Sequence, residues 1–235
     1  FAFYESYFSN YIEGTEFELG EAKQIIESGI PLSSRNEDSH DVLGTYRLVS
    51  NKKEMKITPS TPEDLLNIIK YRHKVIMSSR SNKKPGEFKD KNNRAGQTAF
   101  VDLTLVKGTL IKSFDFYHSL KHPFSRAAFI MFAISEIHPF LDGNGRLARV
   151  MMNAELVREG QCKILIPTVF RDDYLGTLRK LTRQKEPQAY VRMLSHIYDY
   201  SKLASGLPMD EMQLFLKKTN AFKDSNEAKL KFVIN

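Results

Sequence analysis

Twelve consecutive positions hold the residues of this chain best suited to chemistry: His138-Pro-Phe-Leu-Asp-Gly-Asn-Gly-Arg-Leu-Ala-Arg149. The segment supplies a titratable imidazole, a carboxylate, two glycines around an asparagine, and two guanidiniums. Gly143-Asn144-Gly145 can adopt backbone conformations closed to other residues, and such a turn opening a helix aims several N–H groups and the positive helix end at one point. On the helix that follows, Arg146, Arg149 and Asn153 are spaced i, i+3 and i+7 and share a face, opposite much of an apolar stripe of Leu147, Val150, Met151, Ala154 and Val157. Two guanidiniums beside such a nest would hold a polyphosphate through charge-assisted hydrogen bonds. Asp142, next to the nest, is the kind of hard oxygen ligand that holds Mg²⁺ against phosphates. His138 stands before Pro139 and so outside a helix, where it can take a proton from an attacking hydroxyl. The reaction implied is attack of a hydroxyl on a nucleotide phosphorus, with cations stabilising the charge that leaves.

Three simpler readings compete. Gly143-x-Gly145-x-x-Ala148 fits the dinucleotide-binding pattern, but that pattern needs a preceding strand and an acid about twenty residues later. The preceding segment reads as a helix ending at a proline, and residues 161–166 contain no acid. His138 and Asp142 at i, i+4 would suit a transition metal on a helix, but Pro139 and Gly143 break that helix. The third is a loop and capped helix of no chemical consequence, which would account for any one of these residues and not for all of them together.

The elements that must position the segment read as mostly α. Phe1 to Glu13 has helical apolar spacing, with Gly14 at the expected stop, and Glu21 to Ser28 forms a second helix. Ser33 to Asp41 reads as a loop. Thr61-Pro62-Glu63-Asp64 starts a helix that runs to about Ile76, followed by a basic loop from Ser78 to Arg94. Thr98 to Thr104 alternates like a short strand or hairpin. Helices are expected at Phe114–Leu120, from a Ser125 cap to Ile137, at Asn144–Arg158 with Gly160 as its stop, and at Arg171–Leu181, Pro187–Ala204 and Met209–Lys218. The Arg126–Ile137 helix is apolar nearly all round, as a central buried element would be.

Composition sets the frame. A chain of 235 residues with 41% hydrophobic and 27% charged residues can bury a real core. Its lone cysteine, Cys162, cannot staple a fold, reads as a small buried residue, and points to a reducing cytoplasm. The longest apolar run, Ala127 to Ile134, is too short to span a bilayer, and no signal peptide is visible. The first residue is Phe1 and not methionine, as in a fragment of a longer chain. The net charge of +7 is scattered over Lys52-Lys53, Lys83-Lys84 and Lys217-Lys218 without interleaved aromatics, which reads as solvated surface and argues against a nucleic-acid footprint.

The segment His138-Pro-Phe-x-Asp142-Gly-Asn-Gly-Arg146-x-x-Arg149 matches all nine specified positions of the signature of the Fic family (filamentation induced by cyclic AMP), and the chain resembles that family over about residues 40–205. Gly86-Glu-Phe-Lys, Asn93-Arg-Ala-Gly96 through Val106, and Met151-Met-Asn-Ala-Glu-Leu156 share in the resemblance. It implies a helical bundle with a small β-hairpin flap and transfer of AMP from ATP to a Ser, Thr or Tyr hydroxyl of a target protein. By position, His138 is expected to be the general base and Asp142 the Mg²⁺ ligand. Gly143, Asn144, Gly145 and Arg146 are expected around the α- and β-phosphates, with Arg149 on the γ-phosphate. The flap, with Ala95, Gly96, Gln97, Thr98, Ala99, Phe100 and Val101, would bind a target segment as an added strand.

Ser9-Asn-Tyr-Ile-Glu13-Gly14 resembles the autoinhibitory motif of family members whose inhibitory helix precedes the core. The resemblance implies that Glu13 pairs with Arg149 and denies it to the γ-phosphate, making Ser9, Glu13 and Gly14 an inhibitory set. It divides the chain into an inhibitory region at 1–30, a Fic domain at 31–205 and a helical extension at 206–235. Other nucleotides as donors, removal of AMP, a homodimer and a DNA-associated regulatory role stay open at this stage.

Overall fold

The computed structural model describes residues 1–232. Among them are ten α-helices and one two-stranded sheet: α1 (Ala2–Ile12), α2 (Leu19–Ser28), α3 (Asn36–Ser50), α4 (Pro62–Ile76), β1 (Arg94–Ala95), β2 (Thr98–Ala99), α5 (Val106–Ser119), α6 (Pro123–Ile137), α7 (Asn144–Arg158), α8 (Arg171–Gln184), α9 (Pro187–Ala204) and α10 (Met209–Lys218). The mostly α fold with a small hairpin is the one the sequence implies. No helix of the described residues is long and apolar enough to cross a membrane.

The central pair is α6 and α7, which pack on each other more extensively than any other two elements. On α7 every residue from Asn144 to Leu156 is buried except Gly145. The polar face of α7 therefore does not meet water. It is covered by α1, which runs antiparallel along it: Glu5 meets Asn153, Ser9 meets Arg149, and Asn10 meets Arg146. Aromatic residues Phe3, Tyr4, Tyr7 and Phe8 bury the rest of α1, so the helix is anchored by a large apolar area as well as by its polar seam.

The end of α1 is set by local chemistry. Gly14 adopts φ +89°, its N–H bonds Tyr11 O and the Thr15 N–H bonds Asn10 O, a Schellman stop that glycine enters at little cost. Helix α4 begins where the sequence indicates, with Thr61 and Asp64 forming a reciprocal cap and Pro62 at the first position.

Four expectations change. Ser33 to Asp41 is not a loop: Ser33–Arg35 forms a 3₁₀ turn and α3 starts at Asn36. Arg80, some forty residues on, ties Glu37, Asp38 and Asp41 together, a tertiary contact that overrides the polar composition. The strand at 98–104 shrinks to Thr98–Ala99 because Asp102 caps a 3₁₀ turn through Thr104 N. Helix α5 begins at Val106 and not Phe114, since Val106, Leu110, Phe114 and Tyr117 lie on one buried face that outweighs Gly108 and Thr109. Helix α6 starts at Pro123, capped by His122 and not Ser125. Cys162 is half-buried, and burial pushes its thiol up.

Candidate active site

The signature loop between α6 and α7 is held from several sides. His138 ends α6 in the left-handed region at φ 52°, with its N–H on Ile134 O. Gly143 caps α7 at φ 73°. Both amide atoms of Asn144 bond Phe140, Oδ1 accepting from N and Nδ2 donating to O, each at 2.9 Å. The Asn144 side chain is thus a brace for the loop and not a phosphate ligand. Phe140 is fully buried and stacks on His73 of α4 at 3.8 Å. The Gly86 N–H donates to His73 Nδ1, so Nε2 carries the proton and donates to Asp142 O at 3.0 Å. Burial pushes the His73 pKa down to about 4, which suits this neutral, bridging role. From the other side, Lys89 N donates to Pro139 O and Asn93 Nδ2 to Phe140 O.

The N-terminus of α7 faces a cavity of about 470 Å³. The first helical bond of α7 runs from Leu147 N to Gly143 O, which leaves the N–H groups of Asn144, Gly145 and Arg146 without helical acceptors. This is an anion site by construction. Glu13 already fills its mouth. A Cβ on Gly145 would collide with Glu13 Oε1 and stand 2.9 Å from Cδ, so only glycine admits the carboxylate here.

Arg149 is buried and surrounded. Nε donates to Ser9 Oγ at 2.9 Å, Nη2 to Ser9 O at 2.8 Å and to Glu13 Oε1 at 2.7 Å, and Nη1 reaches Tyr174 Oη at 3.4 Å. Ser9 on α1 and Glu13 at its C-cap, one turn apart, thus grip one guanidinium, while Gly14 supplies the turn and no contact to it. Asn153, third on the α7 face, bonds Glu5 and both backbone groups of Ile164.

Arg146 is placed differently from its neighbours. Its guanidinium is buried away from the cavity, 2.7 Å from Asp41 of α3, with Asn10 Oδ1 at 3.3 Å. Burial pushes the Asp41 carboxyl up while Arg146 and Arg80 pull it back. Arg146 Nη2 also lies 4.0 Å from Asp142 Oδ1, and its backbone N–H is free of a helical acceptor.

His138 lies on the cavity wall with Phe100 of the flap stacked on it at 3.7 Å and an interplanar angle of 5°. Nδ1 sits 3.2 Å from Ser135 O, so the neutral ring donates there and keeps Nε2 as a proton acceptor. Burial, with Lys89 nearby, pushes the His138 pKa down to about 4 against the smaller upward pulls of the Ser135 bond, Glu13 and Asp142. The ring is neutral at pH 7 and can act as a base. Asp142 is half-exposed: Oδ1 accepts from Gly143 N at 2.7 Å, and Oδ2 lies 3.7 Å from Lys83. No cluster of three metal-ligating side chains occurs among the described residues, so a cation here would need oxygens from the substrate. Of the flap, Ala95, Gly96, Gln97, Thr98 and Phe100 line the cavity, while Ala99 and Val101 do not.

Sequence reasoning passed over Glu5, Asp41, His73 and Tyr174. The available signal was a polar residue on an otherwise apolar helix face: His73 falls in the Leu65, Ile69, Arg72, Ile76 stripe of α4, and Asp41 beside Val42 and Thr45 on α3.

A helical bundle whose central helix opens on a glycine-bounded N-terminus, beside a neutral histidine under a β-hairpin, is an arrangement chemically suited to holding phosphate. Residues 61–156 match the model of the Fic/DOC family. The chain is 28% identical over 203 residues to "Protein adenylyltransferase Fic" of Drosophila persimilis, covering 82% of this chain and 38% of that protein. It is also 28% identical over 201 residues to the protein of that name in Drosophila melanogaster, covering 82% and 40%. The chain thus spans about two fifths of the length of these relatives. Among solved structures, a Fic domain containing signaling protein from Bacteroides thetaiotaomicron superposes with a TM-score of 0.70 at 22% identity, covering 100% of this chain and 90% of that one. Fic-1 of C. elegans gives 0.69 at 20%, covering 93% and 63%.

Proposed function

We propose that this chain is an autoinhibited protein adenylyltransferase, transferring AMP from ATP to a hydroxyl of a target protein. The observation that carries the reading is the double use of one site: Glu13 occupies the α7 N-terminus and ion-pairs Arg149 at 2.7 Å, where a nucleotide's phosphates would bind. The name borne by the Drosophila relatives supports AMP as the transferred group.

In this reading His138 Nε2 takes the proton of the target hydroxyl as its oxygen bonds the α-phosphorus, and the bond to the pyrophosphate oxygen breaks. The N–H groups of Asn144, Gly145 and Arg146 hold the phosphate oxygens, and Arg149, once freed, holds the terminal phosphate. Asp142 suits Mg²⁺, since its half-exposed carboxylate stands next to the anion site with Oδ2 held only by a long contact to Lys83, and the ion would neutralise charge on the leaving group. The flap lays the target segment beside its open edge. A single half-buried cysteine fits a reducing, cytoplasmic setting.

Replacing Glu13 with glycine tests the reading. The Glu13→Gly chain, incubated with labelled ATP and Mg²⁺, is expected to label itself at least tenfold more than the unaltered chain, since an ion pair that holds the buried Arg149 guanidinium and competes with the γ-phosphate is removed. Equal labelling would sink the inhibitory role of Glu13. Mass spectrometry of the product with UTP, GTP and CDP-choline offered alongside ATP identifies the group transferred.

A further inference from the structure

Inhibition by Glu13 requires α1 to stay docked, and α1 is too short to be stable by itself. Isolated helices of fewer than about 12–15 residues are marginal in water, and α1 has 11. Its flanks are held by different parts of the chain. Glu5, Ser9 and the Glu13 that follows the helix grip Asn153 and Arg149 of α7. Tyr4, Tyr7 and Phe8, on another flank, meet Phe222, with ring centroids 6.1, 5.9 and 5.2 Å away. Phe222 stands just beyond the turn that ends α10, and that turn is well braced. Asn220 takes the left-handed region at φ 64°, its N–H bonds Lys217 O and the Ala221 N–H bonds Leu216 O, a Schellman stop that carries the chain back to α1. Ala221 is fully buried, its carbonyl accepts from Val169 N, and Asn220 Nδ2 donates to Lys229 O. At the end of α1, Arg171, the first residue of α8, donates from Nε to Ile12 O at 3.0 Å, next to Glu13. Ser225 Oγ donates to Asp172 Oδ2 and so ties the C-terminal segment to the start of α8. Neither Phe222 nor Arg171 lines the cavity.

Resting on the transfer reading above, we propose that Phe222 and Arg171 are positioning residues for Glu13: the segment after α10 latches the inhibitory helix from outside the site. Glu13 is about a third exposed, at 31%, so its ion pair with Arg149 is partly screened by water and does little to dock a helix. The aromatic cluster supplies more, because packed rings add to the stabilisation from the area they bury. Arg171 places a cation at the negative end of α1 and fixes the carbonyl of the residue before Glu13. Arg149 is free for a terminal phosphate only in chains whose α1 has lifted. Weakening the latch therefore raises the competent population by the factor by which it weakens docking.

Two variants that leave Glu13 in place test this, Phe222→Ala and Arg171→Met. Each is expected to raise self-labelling with ATP and Mg²⁺ by roughly threefold to tenfold, and to change nothing when made in the Glu13→Gly chain. Hydrogen exchange, read without turnover, follows the helix itself: the amides of α1 should exchange faster by a similar factor while those of α6 and α7 keep their rates. Equal gains in labelling with and without Glu13 overturn the proposal, since the two residues would then act through something else. So does an α1 that exchanges no faster in either variant, or one that exchanges faster with no gain in labelling where the Glu13→Gly chain labels strongly. Exchange that quickens across the whole chain in both variants overturns it too; if Phe222→Ala alone does so, Arg171→Met decides. Faster exchange confined to α1, in a protein that transfers no AMP even as the Glu13→Gly chain, upholds the latch and counts against the transfer reading alone.

Discussion

The seam between α1 and α7 and the rim between the flap and α8 border one cavity and are built on opposite principles. In the seam, all side chains but Glu13 at its open end are largely buried, and polar groups pair across the helices: Glu5 to Asn153 and Lys163, Ser9 and Glu13 to Arg149, Asn10 to Arg146. At the rim, Arg179 and Arg183 are exposed and the hairpin has two residues per strand. Buried polar groups left unpaired are costly, so the seam admits few alternatives, whereas the rim can change without disturbing the fold. In the proposed function, the difference would put reaction chemistry on the rigid part and target choice on the adaptable part.

The largest effect expected from breaking this division lies at the junction of the two regions. In the Glu13→Gly background, His138→Ala should lower labelling on the order of 10²–10⁴-fold, the range a positioned base contributes. Gel-based counting of labelled protein reads it, and persistent label at the parent level would move the base elsewhere. The fold should survive, because the imidazole contributes one hydrogen bond to a helix end and a stacking contact with the flap.

A smaller and purely structural effect compares the two regions directly. Asp41→Asn leaves Arg146 buried opposite a neutral amide, with its Nε already unpartnered. Losing one partner of a buried ion pair costs about 3 kcal/mol or more, which for a chain of this size lowers the melting temperature by roughly 6–12 °C. Glu136→Ala at the rim should cost no more than about 0.5–1 kcal/mol. Calorimetry giving equal shifts for the two variants would erase the contrast between seam and rim.

That contrast also explains what could be read from sequence. The signature was legible because its residues are contiguous and their types are chemically specific. Glu13 was legible through a second short motif. Asp41, His73 and Tyr174 were not, because each is one polar residue in a helix whose partners lie far off in sequence: His73 reaches Asp142, Asp41 reaches Arg80 and Arg146. The same cause hid α3, whose polar start is rescued by Arg80. Arg146 shows the converse limit, since its place in the signature said nothing of its guanidinium turning to α3.

The smallest predicted effect is the most local. Phe100 is the point where the flap touches His138, stacked on it at 3.7 Å. Burial holds the imidazole at a pKa of about 4, below its ordinary 6.5. The folded state therefore binds fewer protons than the unfolded chain between those values, and His138 contributes stability that is present above pH 6.5 and lost as the pH falls toward 4. Phe100→Ala admits water to the ring, so the pKa should move up from about 4 toward 6.5, read from the His138 Cε1–H shift in an NMR titration. The acid-side loss of stability should shrink with it. A pKa that stays near 4 would mean that the burial comes from the seam and not from the flap, and that a target segment need not lift the hairpin to expose the base.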